Sequence, residues 1–444
     1  MTALCDLAAT EAAAHIATGE IGAEELMRAC LARIAEREGE VQAFTFIDAD
    51  RALVEARRAD AVRREGKGVG PLHGVPVAIK DIIDTADMPT EHGSPVFAGR
   101  RPAKDAQCVT ALRDAGAIIL GKTVTTELAT LTPGKTRNPH NPRHTPGGSS
   151  SGSAAGLAAG FFPLALATQT GGSVIRPASF CGICGIKPTF GLISRSGVLL
   201  QSHTLDTIGV YGRSVEDLAL AVDALSAQDA SDPVSYPRSR PDHRPITMSD
   251  VPVPPLFAYV KTPAWEEHGD KRMHAAFAEL VEALGKQVEE IPIASLERAT
   301  AWARIVQGAE NLAYYGPLLE QAPAKISKGL TDRLNAARSI DALSYIGAIR
   351  GRETAYAVIE EVLTNYTAIL TPAAAGPAPE GLGSTGNPVF NAPWTYLGVP
   401  CVTLPLLEVD GMPLGVQLVG LRRDDGRLLR TARWLEGFVR ALDS

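Results

Sequence analysis

The sequence predicts an α/β protein in which a mainly parallel sheet is covered by helices on both faces. Short, largely apolar runs that end near residues 80, 120 and 168 have the length and texture of strands buried on both sides. Segments with apolar residues at helical spacing alternate with them, the pattern of parallel strands joined by crossover helices. With 444 residues, 45% of them hydrophobic and 21% charged, the chain has enough apolar material to fill a large core without disulfides or metal.

Taken in order, the N-terminal part reads as three helices. Ala8, Ala12 and Ile16 recur at helical spacing before Gly19; Leu26, Cys30 and Ile34 mark a second helix over 23–38; a third covers 48–64. A turn at 71–75 leads into a strand ending at Lys80, then come a helix at 106–115 and strands at 117–120 and 161–168. The stretch 228–246, rich in Asp, Ser, Pro and Arg, reads as a surface loop. Beyond it we expect a strand at 256–260, a helix striped by Met273, Phe277, Leu280 and Leu284, and a strand at 288–293. Residues 295–365 are mostly helical, 368–371, 401–406 and 414–419 are late strands, and Leu428, Ala432, Leu435 and Val439 face inward on a closing helix. One domain over 1–444 is expected: N-terminal helices (1–65), a core (66–220), a more divergent pocket region (250–395) and closing elements (396–444).

Charge narrows the class. Forty-three basic against 50 acidic residues give −7, which disfavours nucleic acid and anionic membranes as partners. Six cysteines include a single close pair, Cys181 and Cys184, with no second pair to complete a zinc site, so reduced thiols and no metal are expected. The first residues lack a basic segment followed by an apolar core, and no run of about 18 apolar residues occurs. A cytoplasmic enzyme is the expectation.

The chemistry-bearing stretch is 146–182, PGGSSSGSAAGLAAGFFPLALATQTGGSVIRPASFCG. It holds two Gly-Gly-Ser units, with Ser149 and Ser173 24 residues apart. A strand–Gly-Gly-Ser–helix junction presents backbone N–H groups beside a hydroxyl, which suits a nucleophile next to an oxyanion hole; it is also an ordinary tight turn. Gly147 to Gly152 fits the start of a phosphate-binding loop but lacks the following Lys-Ser/Thr. Gly148, Ser150 and Gly152 fit the α/β-hydrolase elbow, yet the last of nine histidines is His274, leaving no late histidine for that arrangement. A serine hydrolase without histidine needs another base. A lysine serves if burial leaves it neutral. Lys80 is the candidate; the alternative is a lysine ion-paired with Asp81 or Asp84.

These pieces resemble the amidase signature family of serine hydrolases. The resemblance rests on LHGVPVAIKD (72–81), Gly121-Lys-Thr with Glu127, NPHNP (138–142), PGGSSSGS (146–153), TGGS (170–173), FCGICGIKP (180–188), FNAPW (390–394) with GVP (398–400), and PLGVQLVG (413–420). It spans nearly the whole chain. It implies a large twisted mixed sheet flanked by helices, and it implies roles: Ser173 as acylated nucleophile, Ser149 as a bridging serine in a cis peptide, Lys80 as general base, and the N–H groups of Thr170, Gly171, Gly172 and Ser173 as oxyanion hole. No cofactor is implied.

Two positions depart from the common pattern. Gln169 stands where Asp usually precedes Thr-Gly-Gly-Ser, and Arg176 lies three rather than two places after the nucleophile. This variant resembles the malonamidase-like branch more than the amidase component of the tRNA-dependent amidotransferases. Arg176 either faces the pocket, where it would bind a substrate carboxylate or carbonyl, or ties loops together. Thr125, Thr130, Gln169 and Arg176 are the expected substrate-binding residues, with Ile305, Tyr314 and Tyr315 further along the pocket region. The expected reaction is hydrolysis of small amides, extending to anilides or carbamates (urethanes), with water as co-substrate and a homodimer as the assembly considered. The alternatives are the amidase (A) component of an aminoacyl-tRNA amidotransferase and, from the Gly147 loop, a nucleotide-binding module.

Overall fold

Buried side chains alternate along the central strands and so build a core on each face of the sheet. Val77, Ile79, Leu164 and Leu166 pack into one apolar cluster, while Ala78, Ala165 and Ala167 pack into another. The computed structural model describes residues 3–67, 69–237 and 242–442. Its first half runs α1 (Ala9–Thr18), α2 (Ala23–Val41), β1 (Phe44–Ile47), α3 (Ala49–Arg64), β2 (Pro76–Lys80), α4 (Gln107–Asp114), β3 (Ile118–Thr123), α5 (Ser151–Ala158), β4 (Leu164–Gln169), α6 (Ile175–Cys181), β5 (Cys184–Lys187), β6 (Thr207–Gly212) and α7 (Val215–Leu225). The second half runs α8 (His243–Met248), β7 (Phe257–Tyr259), α9 (Ala264–His268), α10 (Lys271–Leu284), β8 (Val288–Glu290), α11 (Ser295–Gln321), α12 (Lys328–Ala337), α13 (Ala342–Asn365), β9 (Ala368–Pro372), α14 (Ala392–Leu397), β10 (Cys401–Val409), β11 (Met412–Val419) and α15 (Asp425–Leu442).

All eleven strands join one sheet, in the order β1-β3-β2-β4-β6-β5-β10-β11-β9-β7-β8. Among the described residues four pairings are parallel and six antiparallel. The sheet is mixed, and less parallel than the alternation of strands and helices predicts. The reason is local. β6 inserts antiparallel to both β4 and β5, and β10 and β11 form a hairpin. β5 (CGIK) and β6 (TIGVYG) are short and glycine-bearing, so their sequences do not read as strands. Gly209 of β6 is required by close packing: a Cβ there would stand 2.5 Å from Val174 Cγ2 and 2.8 Å from the Ile186 carbonyl oxygen.

α7, α10 and α15 cover one face, and α2, α5 and α6 the other. A further cluster joins α11, α13 and α14 to β7 and β9. The stretch expected as a loop at 228–246 is partly helical: the Asp223 carboxylate accepts from the His243 and Arg244 N–H groups at 2.7 and 2.8 Å and starts α8, while 238–241 lie outside the described residues. No helix among the described residues is long and apolar enough to cross a membrane.

Candidate active site

β2 is buried along its whole length and delivers Lys80 to the interior with no exposed surface. Lys80 Nζ lies 2.7 Å from Ser149 Oγ, 2.7 Å from Thr168 Oγ1 and 3.5 Å from the Thr168 carbonyl oxygen. The two neighbouring acids have other partners: Asp81 pairs with Lys122 at 3.4 Å and Asp84 with Arg100 at 2.6 Å. Lys80 forms no ion pair with any described residue. Burial pushes its pKa well below the ordinary lysine value, opposed by the more distant Asp206 carboxylate. Among the described residues its amine therefore meets a serine hydroxyl rather than a counter-ion.

Ser149 follows a cis peptide, Gly148–Ser149, at the entrance to α5. Its flanking carbonyls are held: that of Gly148 accepts from Arg176 Nη2 at 2.7 Å, that of Ser149 from the Thr126 N–H at 3.3 Å. Ser150 is fully buried, with its hydroxyl 3.3 Å from both the N–H and the carbonyl oxygen of Thr168, a bracing position rather than a nucleophile's.

Ser173 sits in the turn between β4 and α6 and is half-buried. No described residue accepts a hydrogen bond from the backbone N–H of Gly171, Gly172 or Ser173, so these donors are free for a negatively charged oxygen. Gln169 clamps the turn: its Oε1 accepts from the Val174 and Ile175 N–H groups at 2.8 and 3.0 Å, and its Nε2 donates to Thr395 Oγ1 at 2.9 Å. Thr395 in turn donates to the Gly171 carbonyl at 2.7 Å, and the Tyr211 hydroxyl to the Val174 carbonyl at 2.9 Å. Gly172 must lack a side chain, since a Cβ would meet Asn391 Oδ1 at 2.4 Å and Arg176 Nη1 at 2.8 Å.

The structure thus joins Lys80 to Ser149. It draws no hydrogen bond between the Ser149 and Ser173 hydroxyls, and Ser173 Oγ bonds to no described residue. Of the four expected substrate-binding residues, Gln169 is buried and uses its Oε1 and one N–H of its amide in the clamp. Arg176, buried on α6, donates from Nε to the Thr385 carbonyl at 2.7 Å and from Nη2 to Gly148, while Nη1 has no partner. Thr130 donates to the Glu127 carbonyl at 2.6 Å, and the Thr125 hydroxyl is buried without a partner.

Around these lies a loop that the sequence does not announce. Leu128 and Ala129 both take left-handed backbone angles, φ 47° and 56°. Three contacts hold them there: the Tyr315 hydroxyl on the Leu128 carbonyl at 3.0 Å, Gln201 Nε2 on the Ala129 carbonyl at 3.0 Å, and Glu127 on the Ser327 N–H at 2.9 Å. Tyr315 is therefore a brace, Tyr314 is exposed, and Ile305 packs with the cluster under α11. Gln307 of α11, which no motif singles out, faces Gly171, its Oε1 3.8 Å from where a Cβ would stand. Its position within an amphipathic helix carries no signal of that role. His140 and His144 bond to the carbonyls of Cys181 and Ala378 at 2.9 and 2.7 Å, and all six cysteines are buried and free.

A buried lysine on a serine thus lies next to a Gly-Gly-Ser turn with open N–H groups, and no described histidine bonds to either serine. The Amidase family model matches residues 25–429, and the chain belongs to that family. It is 33% identical to the A subunit of a glutamyl-tRNA(Gln) amidotransferase from Chloroflexus aurantiacus, with 97% of this chain and 96% of the relative aligned. It is 39% identical to the protein of the same name from Thermobifida fusca, over 71% of this chain and 66% of the relative. Among solved structures, a peptide amidase from Stenotrophomonas maltophilia superposes with a TM-score of 0.81 at 29% identity, covering 98% of this chain and 97% of that one. A second, described as an unexpected vestigial protein complex that reveals the evolutionary origins of an s-triazine catabolic enzyme, superposes with a TM-score of 0.90 at 29% identity, covering 97% and 98%.

Proposed function

We propose that the chain cleaves C–N bonds of small amides through an acyl-enzyme on Ser173, with carbamates and anilides as further candidates. The observation that carries this reading is the fully buried Lys80 held 2.7 Å from Ser149, where burial pushes its pKa well below the ordinary lysine value. Neutral Lys80 takes the Ser149 proton as Ser149 takes that of Ser173, and Ser173 Oγ attacks the carbonyl carbon. The N–H groups of Gly171, Gly172 and Ser173, with Thr170, receive the developing oxyanion. The proton then returns from Lys80 through Ser149 to the leaving nitrogen, the C–N bond breaks, and water attacks the acyl carbon by the same relay to release the acid. Closing the relay requires Ser149 and Ser173 to come into hydrogen-bond contact when substrate arrives. Thr125 and Thr130 are the polar groups offered to the acyl part, while Arg176 ties the Gly148 and Thr385 carbonyls together.

A second reading has specific support. The curated relatives are the A subunits of amidotransferases, which favours the same acylation chemistry with ammonia handed to a partner protein, over a malonamidase-like enzyme. One experiment separates them. The isolated chain is treated with a fluorophosphonate, mapped by mass spectrometry, and screened against small amides, anilides, half-amides of dicarboxylic acids, carbamates and glutamine. An adduct on Ser173 with turnover by the chain alone is expected. Glutamine cleavage appearing only with co-purified partner proteins would establish the second reading, and an adduct on Ser150 would defeat both.

A further inference from the structure

The loop before β6 carries a buried acid that the reaction scheme does not use. Asp206 is 7% exposed, and its carboxylate is held by three donors: Thr170 Oγ1 at 2.5 Å, the Gln201 N–H at 2.8 Å and the Ser202 N–H at 3.0 Å. Thr170 is the first residue of the oxyanion turn. Two residues earlier on β4, Thr168 takes the hydrogen bond from Lys80. Lys80 and Asp206 are therefore tied to two threonines two residues apart, Thr168 near the end of β4 and Thr170 at the start of the turn that follows it.

We propose that Asp206 is a positioning residue that fixes the oxyanion turn through Thr170 and, as an anion just before β6 with β4 between it and Lys80 of β2, sets the pH at which the base loses its proton. This rests on the reading of Lys80 as general base. The other charged or titratable groups around Asp206 are placed otherwise. Arg195 donates to the Asp206 backbone carbonyl at 3.3 Å but pairs its charge with Asp232 at 3.0 Å. Glu310 takes the Ser202 and Thr204 hydroxyls, with His203 3.6 Å away. The Tyr314 and Tyr315 phenols are neutral, held above the ordinary tyrosine range first by burial and then by Asp206 itself. Burial raises Asp206 to about 6, against its three hydrogen bonds, so above that pH it is an anion. A nearby negative charge favours the protonated lysine. Removing it therefore moves the onset of activity to lower pH.

The test follows the rate of Ser173 labelling by a fluorophosphonate against pH, which needs no known substrate. In Asp206→Asn the acid limb is expected to move to lower pH, with the plateau rate reduced about ten-fold or more as the turn loosens. Thr170→Val keeps the charge but cuts the tether: the plateau falls and the limb stays in place, and Thr170→Ser restores the rate. An unmoved limb in folded Asp206→Asn overturns the electrostatic role. If that variant does not fold, Thr170→Val labelling at the wild-type rate overturns the tether. Lys80→Met is the control. Wild-type labelling there sinks the general-base reading itself, whereas loss of labelling in Lys80→Met with an unmoved Asp206→Asn limb sinks only this proposal.

Discussion

Two buried lysines stand on adjacent strands and have opposite surroundings. Lys80 ends β2, Lys122 lies in β3, and the register places Ile79 beside Lys122. Neither has exposed surface. Lys122 has an acid at 3.4 Å, Asp81, and also donates to the Ile83 carbonyl at 2.8 Å and Thr90 Oγ1 at 2.5 Å. Burial lowers Lys122 only to about 8, because Asp81 opposes it. Lys80 meets two hydroxyls and a carbonyl oxygen, and its pKa falls well below the ordinary value. What separates the two is the contact: Lys122 meets a carboxylate, Lys80 a serine hydroxyl.

The largest expected effect breaks the catalytic side of this contrast. Lys80→Met keeps the apolar stem and removes the amine, so Ser173 labelling should fall by roughly 10³-fold or more. Lys80→Arg should fail as well, since guanidinium stays protonated. Unchanged rates in both would remove the distinction between the two lysines. Ser149→Ala, which leaves Lys80 without its serine, should cost somewhat less, about 10²–10³-fold, read by the same labelling.

The structural side breaks differently. Lys122→Met strips Asp81 of its buried partner and should destabilise the protein by about 3–5 kcal/mol in denaturant unfolding. The fraction that remains folded should label within a few-fold of wild type. A catalytic collapse without loss of stability would show that Lys122 belongs to the reaction.

A smaller effect sharpens the comparison through pH. The folded pKa of Lys80 lies below its unfolded value of about 10.4, so the unfolded chain binds a proton that the folded chain resists. The stability cost is full below the folded pKa, shrinks as pH rises between the two values, and vanishes above the higher. Lys80→Met should therefore raise Tm at neutral pH, with the gain fading as pH approaches about 10. A pH-independent difference in calorimetry would mean that Lys80 is not held neutral. The smallest expected effect belongs to Arg176→Gln. Its Nε and Nη2 already hold Thr385 and Gly148, so hydrolysis of neutral and carboxylate-bearing amides should fall by a similar factor. A selective loss on the charged amides would instead make it a substrate ligand.

The parts of the site that are legible in the sequence are those defined along the chain. Lys80 closes an apolar run, and Ser149 and Ser173 each follow Gly-Gly at a helix entrance. What cannot be read there depends on partners far away in sequence. Gln169 is matched to Thr395, Arg176 to Thr385, and Asp206 is revealed only by its bond to Thr170. The long helices and the apolar strands are readable from periodicity. β5 and β6 are not, because four- and six-residue strands with glycines lack a pattern until their neighbours supply one.

The pairing of β5 with β10 also bears on how the chain is made. Lys187 is matched with Cys401, Ile186 with Val402 and Gly185 with Thr403. At about 5–20 residues per second, a ribosome needs roughly 10–40 s to pass from one partner to the other. Through most of that interval the nascent chain carries the 170–173 turn without its Thr395 clamp, beside an open strand edge, the kind of edge that recruits other chains. The hairpin of β10 and β11 acts as a late closure, so fragments ending before it should aggregate and require chaperone protection even though every residue of the proposed triad has already been synthesised.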